Sequence, residues 1–307
     1  MVQTNSIDKK IIIICGPTAS GKTALAVECA KLLNSEVISA DSMYIYKGLN
    51  IGTAKPTVEE MQGVKHHVID VVEPSETFTV SDYKNIAKPI IDNLISQNKI
   101  PIICGGTGFY INSILYDLSY GNGQGNPEIR EKYKTLAIEH GNQFVYDILQ
   151  KYDPESAKKL HFNDLKRVIR ALEIYESGIK KSDICDELKP NYNYSAYSVD
   201  YDRETLYYRI NKRVDLMVNF GLIDEIKSLL DSGINKDNQC MQAIGYKEIL
   251  DFLDGNCNLA QAIETIKLNT RHYAKRQITF FKKLSVEKLA VKSPQDMAKY
   301  IVQGLKL

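Results

Sequence analysis

Between a run of four isoleucines and a segment of helical periodicity, the chain reads Gly16-Pro17-Thr18-Ala19-Ser20-Gly21-Lys22-Thr23. This string satisfies the pattern G-x-x-x-x-G-K-[ST] at every fixed position. In such a loop the backbone N–H groups point inward and hold an anion, and the following helix adds a favourable dipole. We therefore predict that residues 16–23 bind phosphate, with Lys22 on the terminal phosphates and the Thr23 hydroxyl on Mg²⁺.

The segments around this loop predict an α/β core. Short β-branched or apolar runs are typical of buried parallel strands, and periodic segments between them are typical of helices. The predicted strands are 10–15, 36–40, 67–72, 100–104 and 195–199, and the predicted helices are 22–33 and 81–97. Strands that alternate with helices in this way indicate a doubly wound, P-loop NTPase-like parallel sheet.

The pattern changes near residue 118. A Gly/Asn-rich breaker covers 121–127, and from there to Gly178 only helices are predicted, one of them capped by Asn163. A second breaker lies at 189–194. The sequence therefore predicts an α/β core, 1–117 and 197–307 with C-terminal helices, interrupted by a helical insertion over 118–196.

Composition sets broad limits on the kind of protein. The 307 residues are 44% hydrophobic and 25% charged, which is typical of a globular protein. The net charge of +1 argues neither for nor against nucleic-acid binding. No apolar run approaches the roughly 18 residues of a membrane span, and the N-terminus has no signal core. We expect a cytoplasmic protein without a membrane partner, whose six cysteines are reduced.

Two further features fall at the predicted carboxyl edge of the sheet, where ligands bind in open α/β folds. Asp41 follows the second strand and could hold Mg²⁺ through water, accept a proton, or simply cap a turn. Gly105-Gly106-Thr107-Gly108 follows another strand and is predicted to form a wall of the site. On the loop motif alone, an ATP-binding small-molecule kinase is the first hypothesis.

Longer strings carry a more specific resemblance. They are Ile38-Ser39-Ala40-Asp41-Ser42-Met43, Gly52-Thr53-Ala54-Lys55-Pro56, His66-His67-Val68-Ile69-Asp70, Gly105-Gly106-Thr107-Gly108-Phe109-Tyr110, Arg167-Val168-Ile169-Arg170, Gln242-Ala243-Ile244-Gly245-Tyr246 and Thr270-Arg271-His272-Tyr273-Ala274-Lys275-Arg276-Gln277. Over about residues 10–282, the chain resembles the bacterial tRNA dimethylallyltransferases of the isopentenyl-tRNA transferase family. It departs from the usual pattern at Tyr44, Phe162 and Lys166, which puts details of base recognition in doubt.

The resemblance implies a reaction and its residues. A dimethylallyl group would pass from dimethylallyl diphosphate to the exocyclic amine of adenine 37 in tRNA, assisted by Mg²⁺. Asp41 would take the amine proton, while Lys22 and Thr23 would stabilise the departing diphosphate. One of Arg209 and Arg213 would meet the diphosphate, and Arg209 is favoured.

The resemblance and the basic segments together predict the RNA contacts. The helical insertion would clamp the anticodon stem-loop of a tRNA bound to a monomeric enzyme. The predicted tRNA-binding residues are Asp41, Ser42, Met43, Tyr44, Thr107, Arg130, Lys166, Arg167, Val168, Ile169, Arg170, Arg271, Lys275 and Arg276. For the basic helices, the alternative is an ordinary solvated face balanced by Glu173 and Glu264.

Three other functions stay open at this point. An adenylate dimethylallyltransferase would act on free nucleotides, but it would need neither the insertion nor the basic C-terminal helix. A small-molecule kinase or a non-catalytic RNA-binding NTPase would each require ATP.

Overall fold

The computed structural model describes residues 10–118, 125–184 and 189–305. The chain forms two compact units, a core unit of Met1–Leu115 with Asn191–Leu307 and an inserted unit of Tyr116–Pro190. The predicted insertion of 118–196 therefore ends too late. Its last residues belong to the core because the strand beginning at Asn193 pairs with Lys10. Most of the predicted breaker 121–127, and Cys185, lie outside the described residues.

The core unit is built on one parallel sheet. Its strands are β1 (Lys10–Cys15), β2 (Val37–Ser39), β3 (His66–His67), β4 (Ile102–Gly105), β5 (Asn193–Asp200) and β6 (Val286–Ala290). They lie in the order β3-β2-β4-β1-β5-β6. The central β1 is buried from Ile11 to Cys15, which explains its unbroken β-branched composition.

Helices make up most of the remaining regular structure of the described residues in both units. In the core unit they are α1 (Lys22–Leu33), α2 (Val58–Met61), α3 (Val80–Ser96) and α4 (Gly108–Leu115) before the insertion. The inserted unit contributes α5 (Pro127–His140), α6 (Asn142–Tyr152), α7 (Pro154–Ala157) and α8 (Leu165–Glu176). The core unit resumes with α9 (Arg203–Asn219), α10 (Leu222–Asp231), α11 (Tyr246–Leu253), α12 (Leu259–Phe281) and α13 (Pro294–Gly304). Short 3-10 helices occupy Lys181–Asp183 and Gln239–Gln242.

Local signals place the helices that carry the site. Helix α1 begins after Gly21, whose φ of 79° favours glycine, and ends at Asn34 with φ of 46°. At the start of α9, Asp202 accepts a hydrogen bond from the backbone of Thr205. Asn258 forms a capping box at the start of α12. These caps satisfy backbone donors that would otherwise be left at the helix ends.

Two strands differ from the sequence prediction. The strand expected at 67–72 is only His66–His67, because Val68 and Asp70 adopt positive φ of 60° and 53° and end the extended conformation. Strand β6 was not predicted. In it only Leu289 is buried, so the segment lacks the apolar run that marks the central strands.

The inserted unit has its own small core. Its buried cluster contains Tyr133, Val145, Leu149, Val168 and Leu172, among others. The helix predicted to be capped by Asn163 starts one residue later, with Asp164 at the N-cap position, and Gly178 follows its last turn as expected. No helix in the described part of the chain is long and apolar enough to cross a membrane.

Candidate active site

The carboxyl ends of β1, β2 and β4 meet at one edge of the sheet, as parallel strands require. Each strand leads into a predicted site segment: the 16–23 loop, Asp41 and the Gly105 turn. These segments surround a cavity of about 740 Å³. Its lining includes Thr18, Ala19, Ser20, Gly21, Lys22, Thr23, Asp41, Tyr44, Thr53, Ala54, Cys104, Gly105, Arg209, Arg213, Tyr273 and Gln277.

The 16–23 loop holds itself in shape. The Ser20 hydroxyl donates to the Pro17 carbonyl at 2.9 Å, and the Lys22 ammonium donates to the same carbonyl at 2.5 Å. Burial lowers the pKa of Lys22, and the nearby Arg213 charge lowers it further. The loop therefore brings a partly desolvated cation to the cavity, which suits a polyphosphate.

Asp41 lines the same cavity as the loop. Its carboxylate accepts a hydrogen bond from the backbone of Met43 at 2.9 Å, so the turn-capping role considered from the sequence is present. Burial raises the pKa of Asp41, whereas the charges of Lys22 and Arg213 lower it. A carboxylate of raised pKa, open to a cavity, can accept a proton from a bound substrate.

Two arginines of α9 face the loop in different ways. Arg209 is exposed and its Nε donates to the Ala19 carbonyl at 2.8 Å. Arg213 is half-buried one turn further along, where it donates to Thr18 Oγ1 at 3.3 Å and to the Thr53 carbonyl at 3.1 Å. Its charge lowers the pKa of both Lys22 and Asp41. Arg213 is therefore the more central guanidinium, although Arg209 was favoured from the sequence.

The glycine turn after β4 packs closely against the end of β2 and lines the cavity at Gly105. A Cβ on Gly105 would lie 2.1 Å from the Ala40 carbonyl oxygen, so only glycine fits between the strand ends. Thr107 Oγ1 accepts from the Ser42 backbone at 3.0 Å and thereby ties β4 to β2. The turn approaches its neighbouring strand closely, whereas the sequence suggested a close approach to a ligand.

Of the other residues predicted to bind RNA in the core unit, Tyr44 lines the cavity. Ser42, Met43 and Tyr44 follow Asp41 and are half-buried, and the Tyr44 hydroxyl donates to the Ala54 carbonyl at 2.9 Å. On α12, Lys275 and Arg276 are exposed, next to the cavity-lining Tyr273 and Gln277. Arg271 instead donates to Asn211 at 2.7 Å.

In the inserted unit, two of the residues predicted to bind RNA are buried, so that part of the prediction is wrong. Val168 is 0% and Ile169 is 6% exposed, so their side chains belong to the apolar core. Lys166 and Arg167 are exposed on the same helix.

A buried carboxylate holds two arginines of the inserted unit, Arg130 and Arg170. Arg130 makes two hydrogen bonds to Glu173, at 2.9 and 3.1 Å, and Arg170 pairs with the same group. Glu173 is only 4% exposed, so it is not the solvated balancing charge considered above. The inserted unit therefore combines an exposed lysine at position 166 with guanidinium groups that are held by a buried carboxylate.

The cavity also contains the oxygen donors that a hard cation prefers. The Thr23 hydroxyl and the Asp41 carboxylate both line it. Hydroxyl, carboxylate and phosphate oxygens are the usual ligands of Mg²⁺ in proteins. These residues therefore fit a magnesium ion bound together with a diphosphate.

Sequence reasoning missed two polar residues that shape the site. Gln277 is 5% exposed and joins the 16–23 loop to the glycine turn. Glu225, on α10, accepts hydrogen bonds from the backbone of residues 50–52. Neither role has a local signal, because each partner lies more than 170 residues away in the sequence.

The geometry can be compared with known proteins. Residues 44–284 match the family model described as IPP transferase. A curated relative from Thermoanaerobacter sp. (strain X514), named tRNA dimethylallyltransferase, is 50% identical over 279 residues, which is 89% of each chain.

Solved structures give the same picture. The full-length tRNA isopentenylpyrophosphate transferase of Bacillus halodurans is 42% identical over 96% of each chain, with a TM-score of 0.72. A eukaryotic dimethylallyltransferase acting on tRNA is 29% identical with a TM-score of 0.80, and the match covers 97% of this chain and 77% of that one.

Proposed function

The chain belongs to the IPP transferase family, and on that premise we propose that it transfers a dimethylallyl group from dimethylallyl diphosphate to the exocyclic amine of an adenine in tRNA, releasing diphosphate. The proposed acceptor is adenine 37, next to the anticodon. The proposed partner is the anticodon stem-loop, bound by a monomer in the cytoplasm.

One geometric observation supports the proposal: the phosphate loop and Asp41 line the same cavity. A diphosphate held by the loop would place its allylic carbon inside the cavity, within reach of an acceptor amine at Asp41. A phosphoryl-transfer enzyme and a prenyl-transfer enzyme both need the loop. Only the family match favours transfer of the prenyl group over transfer of a phosphoryl group, because the loop can bind the phosphates of either kind of substrate.

The chemistry follows from the charges in the cavity. The bond between the allylic carbon and the diphosphate oxygen breaks, and its electron pair stays on that oxygen. Lys22 and Arg213 stabilise the charge that develops there, as do the loop N–H groups, and Arg209 lies at the outer side of the loop. Magnesium, held by Thr23 together with the diphosphate, would supply further charge neutralisation and leave the Asp41 carboxylate to act on the acceptor.

The acceptor side of the reaction depends on Asp41. The adenine amine forms the new carbon–nitrogen bond and loses one proton to the Asp41 carboxylate. The raised pKa of Asp41 makes it a stronger base than an ordinary aspartate. Because an adenine inside a stacked loop cannot reach the cavity, the nucleotide must be flipped out, at a cost of about a few kcal/mol.

The RNA-binding part of the proposal rests on exposed cations. Lys275 and Arg276 are exposed on α12, and Lys166 and Arg167 are exposed on α8. Cations of this kind bind the phosphate backbone and leave base selection to the pocket. We propose that Thr107, Ser42 and Met43, which lie near Asp41 in the chain or are hydrogen-bonded to that segment, contact the flipped nucleotide.

The proposal is tested with labelled dimethylallyl diphosphate and two acceptors in parallel. We expect label in tRNA, located at adenine 37 by nuclease digestion and mass spectrometry, and no label in AMP. Label in AMP alone would replace the proposal with a nucleotide prenyltransferase. Transfer of the γ-phosphate from ATP to either acceptor, without prenylation, would indicate a kinase.

A further inference from the structure

Glu225 is held in an unusual set of contacts for a residue of a surface helix. One carboxylate oxygen accepts from the backbone N–H groups of Asn50 and Ile51, at 2.8 and 2.7 Å. The other accepts from the Gly52 N–H at 3.0 Å and from the Tyr246 hydroxyl at 2.6 Å. Four donors from two separate segments thus converge on one carboxylate, and hydrogen bonds to a charged acceptor of this kind are stronger than those to a neutral one.

The segment held by Glu225 continues directly to the cavity. The Lys55 N–H donates to the Asn50 carbonyl and the Ala54 N–H to the Ile51 carbonyl, both at 3.0 Å, so residues 50–55 form one tight turn. Ala54 has a φ of 50°, an unfavourable conformation for a residue with a side chain. The turn is therefore one that external contacts must hold in place.

The carbonyl groups of this turn orient Arg213. The guanidinium donates to the Thr53 carbonyl at 3.1 Å and to the Ala54 carbonyl at 3.4 Å, and its other nitrogen reaches Thr18 in the phosphate loop. A continuous series of hydrogen bonds therefore runs from Glu225 through the turn to Arg213.

Packing reinforces this connection from the same side. A Cβ on Gly52 would lie 2.6 Å from the ring of Tyr246 and 2.7 Å from the side chain of Leu222. Gly52, whose N–H donates to Glu225, therefore packs closely against α10 and α11. Glu225 itself is not among the described residues that line the cavity, so it acts on the site only through the turn.

We propose that Glu225 is a positioning residue for diphosphate binding, which fixes the Asn50–Gly52 backbone so that the following carbonyl groups orient Arg213 toward the phosphate loop. This inference rests on the proposed function, because it takes the diphosphate as the anion that Arg213 meets. Tyr246 has a supporting role as the fourth donor.

The test compares Glu225→Gln with Asp224→Asn. Both acidic residues lie in the first turn of α10, so the control reproduces the removal of charge near the helix N-terminus. Glutamine keeps one acceptor oxygen, but its amide nitrogen is a donor. Two of the four groups that donate to Glu225 would therefore face a donor and lose their hydrogen bonds. We expect KM for dimethylallyl diphosphate to rise about tenfold in Glu225→Gln. KM for tRNA, and both constants in Asp224→Asn, should stay within about twofold.

A double variant distinguishes positioning from a general decrease in stability. In an Arg213→Ala background, Glu225→Gln should add less than about twofold to the KM for dimethylallyl diphosphate, because the residue that it positions is gone. Additive effects, or an unchanged KM in the single variant, would overturn the inference. Should Glu225→Gln fail to fold, Tyr246→Phe removes one donor and should raise the same KM by about threefold.

Affinity for inorganic diphosphate, measured by calorimetry, separates this inference from the proposed function. Glu225→Gln should weaken diphosphate binding about tenfold even if the wild-type chain transfers no prenyl group. Wild-type transfer to tRNA with equal diphosphate affinity in Glu225→Gln and Asp224→Asn would contradict the positioning role alone.

Discussion

The side-chain carbonyl of Gln277 accepts a hydrogen bond from the backbone N–H of Thr18 at 2.9 Å, across 259 residues of sequence. The amide nitrogen of the same side chain donates to the Gly106 carbonyl at 3.0 Å. One buried amide therefore connects helix α12 to the phosphate loop and to the turn after β4. It fixes the loop at the residue that also receives Arg213.

Replacing Gln277 with alanine should loosen the loop. Thr18 and Gly106 would each be left without this partner in a buried place, which costs about 1–3 kcal/mol of unfolding free energy. Thermal or denaturant unfolding measures this change, and kinetics should show a higher KM for dimethylallyl diphosphate. Thr279→Ala, at an exposed position of the same helix, is the control. Equal stability in the two variants would argue against the bridge.

The Asp41→Asn variant should bind tRNA normally and transfer poorly. The amide cannot take the proton of the adenine amine, and general-base contributions are typically about 10²–10⁴-fold in rate. Filter binding measures the tRNA affinity, and single-turnover labelling measures the rate. A single-turnover rate equal to that of wild type would remove Asp41 from the mechanism.

The transfer rate should fall toward both low and high pH. Asp41 must be ionised, and burial places its pKa above the usual value of about 3.9, so the rate should fall as the pH drops through this raised pKa. Lys22 must be protonated, and burial lowers its pKa below the usual value of about 10.4, so the rate should fall as the pH rises through it. The bell-shaped profile should therefore be narrower than for the free side chains.

Single-turnover rates measured across the pH range give both limbs of that profile. Asp41→Asn should leave its small residual rate without an acid limb, since the titrating carboxylate is gone. An unchanged acid limb in this variant would assign that limb to another group.

The inserted unit should contribute to tRNA binding through Lys166 and Arg167. Removing both cations should reduce the slope of log affinity against log salt by about 0.7–0.9 for each phosphate that is no longer neutralised. Val168→Ala is the contrasting variant on the same helix. It should lower stability by about 0.5–1.5 kcal/mol, because buried methyl groups are removed, and leave the salt slope unchanged. Identical slopes in all variants would exclude this surface from RNA binding.

Much of the core could be predicted because its signals are local. The isoleucine run gave β1 with both ends correct, and the glycine-containing loop gave the start of α1. Strand β3 was overestimated because positive φ at Val68 and Asp70 has no sequence pattern of its own. Strand β6 was missed because its stability comes from pairing with β5, which only the folded chain provides.

The motifs of the site could be predicted from the sequence, whereas the hydrogen bonds between distant segments that shape it could not. Lys22, Thr23 and Asp41 line one cavity, which the shared edge of parallel strands predicts, and their chemical roles stay predictions. Arg209 and Arg213 are one helical turn apart on α9, and the sequence around both residues is similarly basic. The sequence therefore had no feature that could show which of the two contacts the phosphate loop more closely. Val168 and Ile169 fell within a basic motif, although their apolar side chains face the core.

The central claim is that the phosphate loop releases diphosphate while a carbon group moves. Dimethylallyl diphosphate with ¹⁸O at the bridging position between carbon and phosphorus tests it directly, in a single turnover with tRNA. The account predicts that all ¹⁸O leaves in the diphosphate and that the tRNA gains only the hydrocarbon group, because the carbon–oxygen bond breaks. Label retained on the dimethylallyl fragment, together with phosphate on the acceptor, would contradict it.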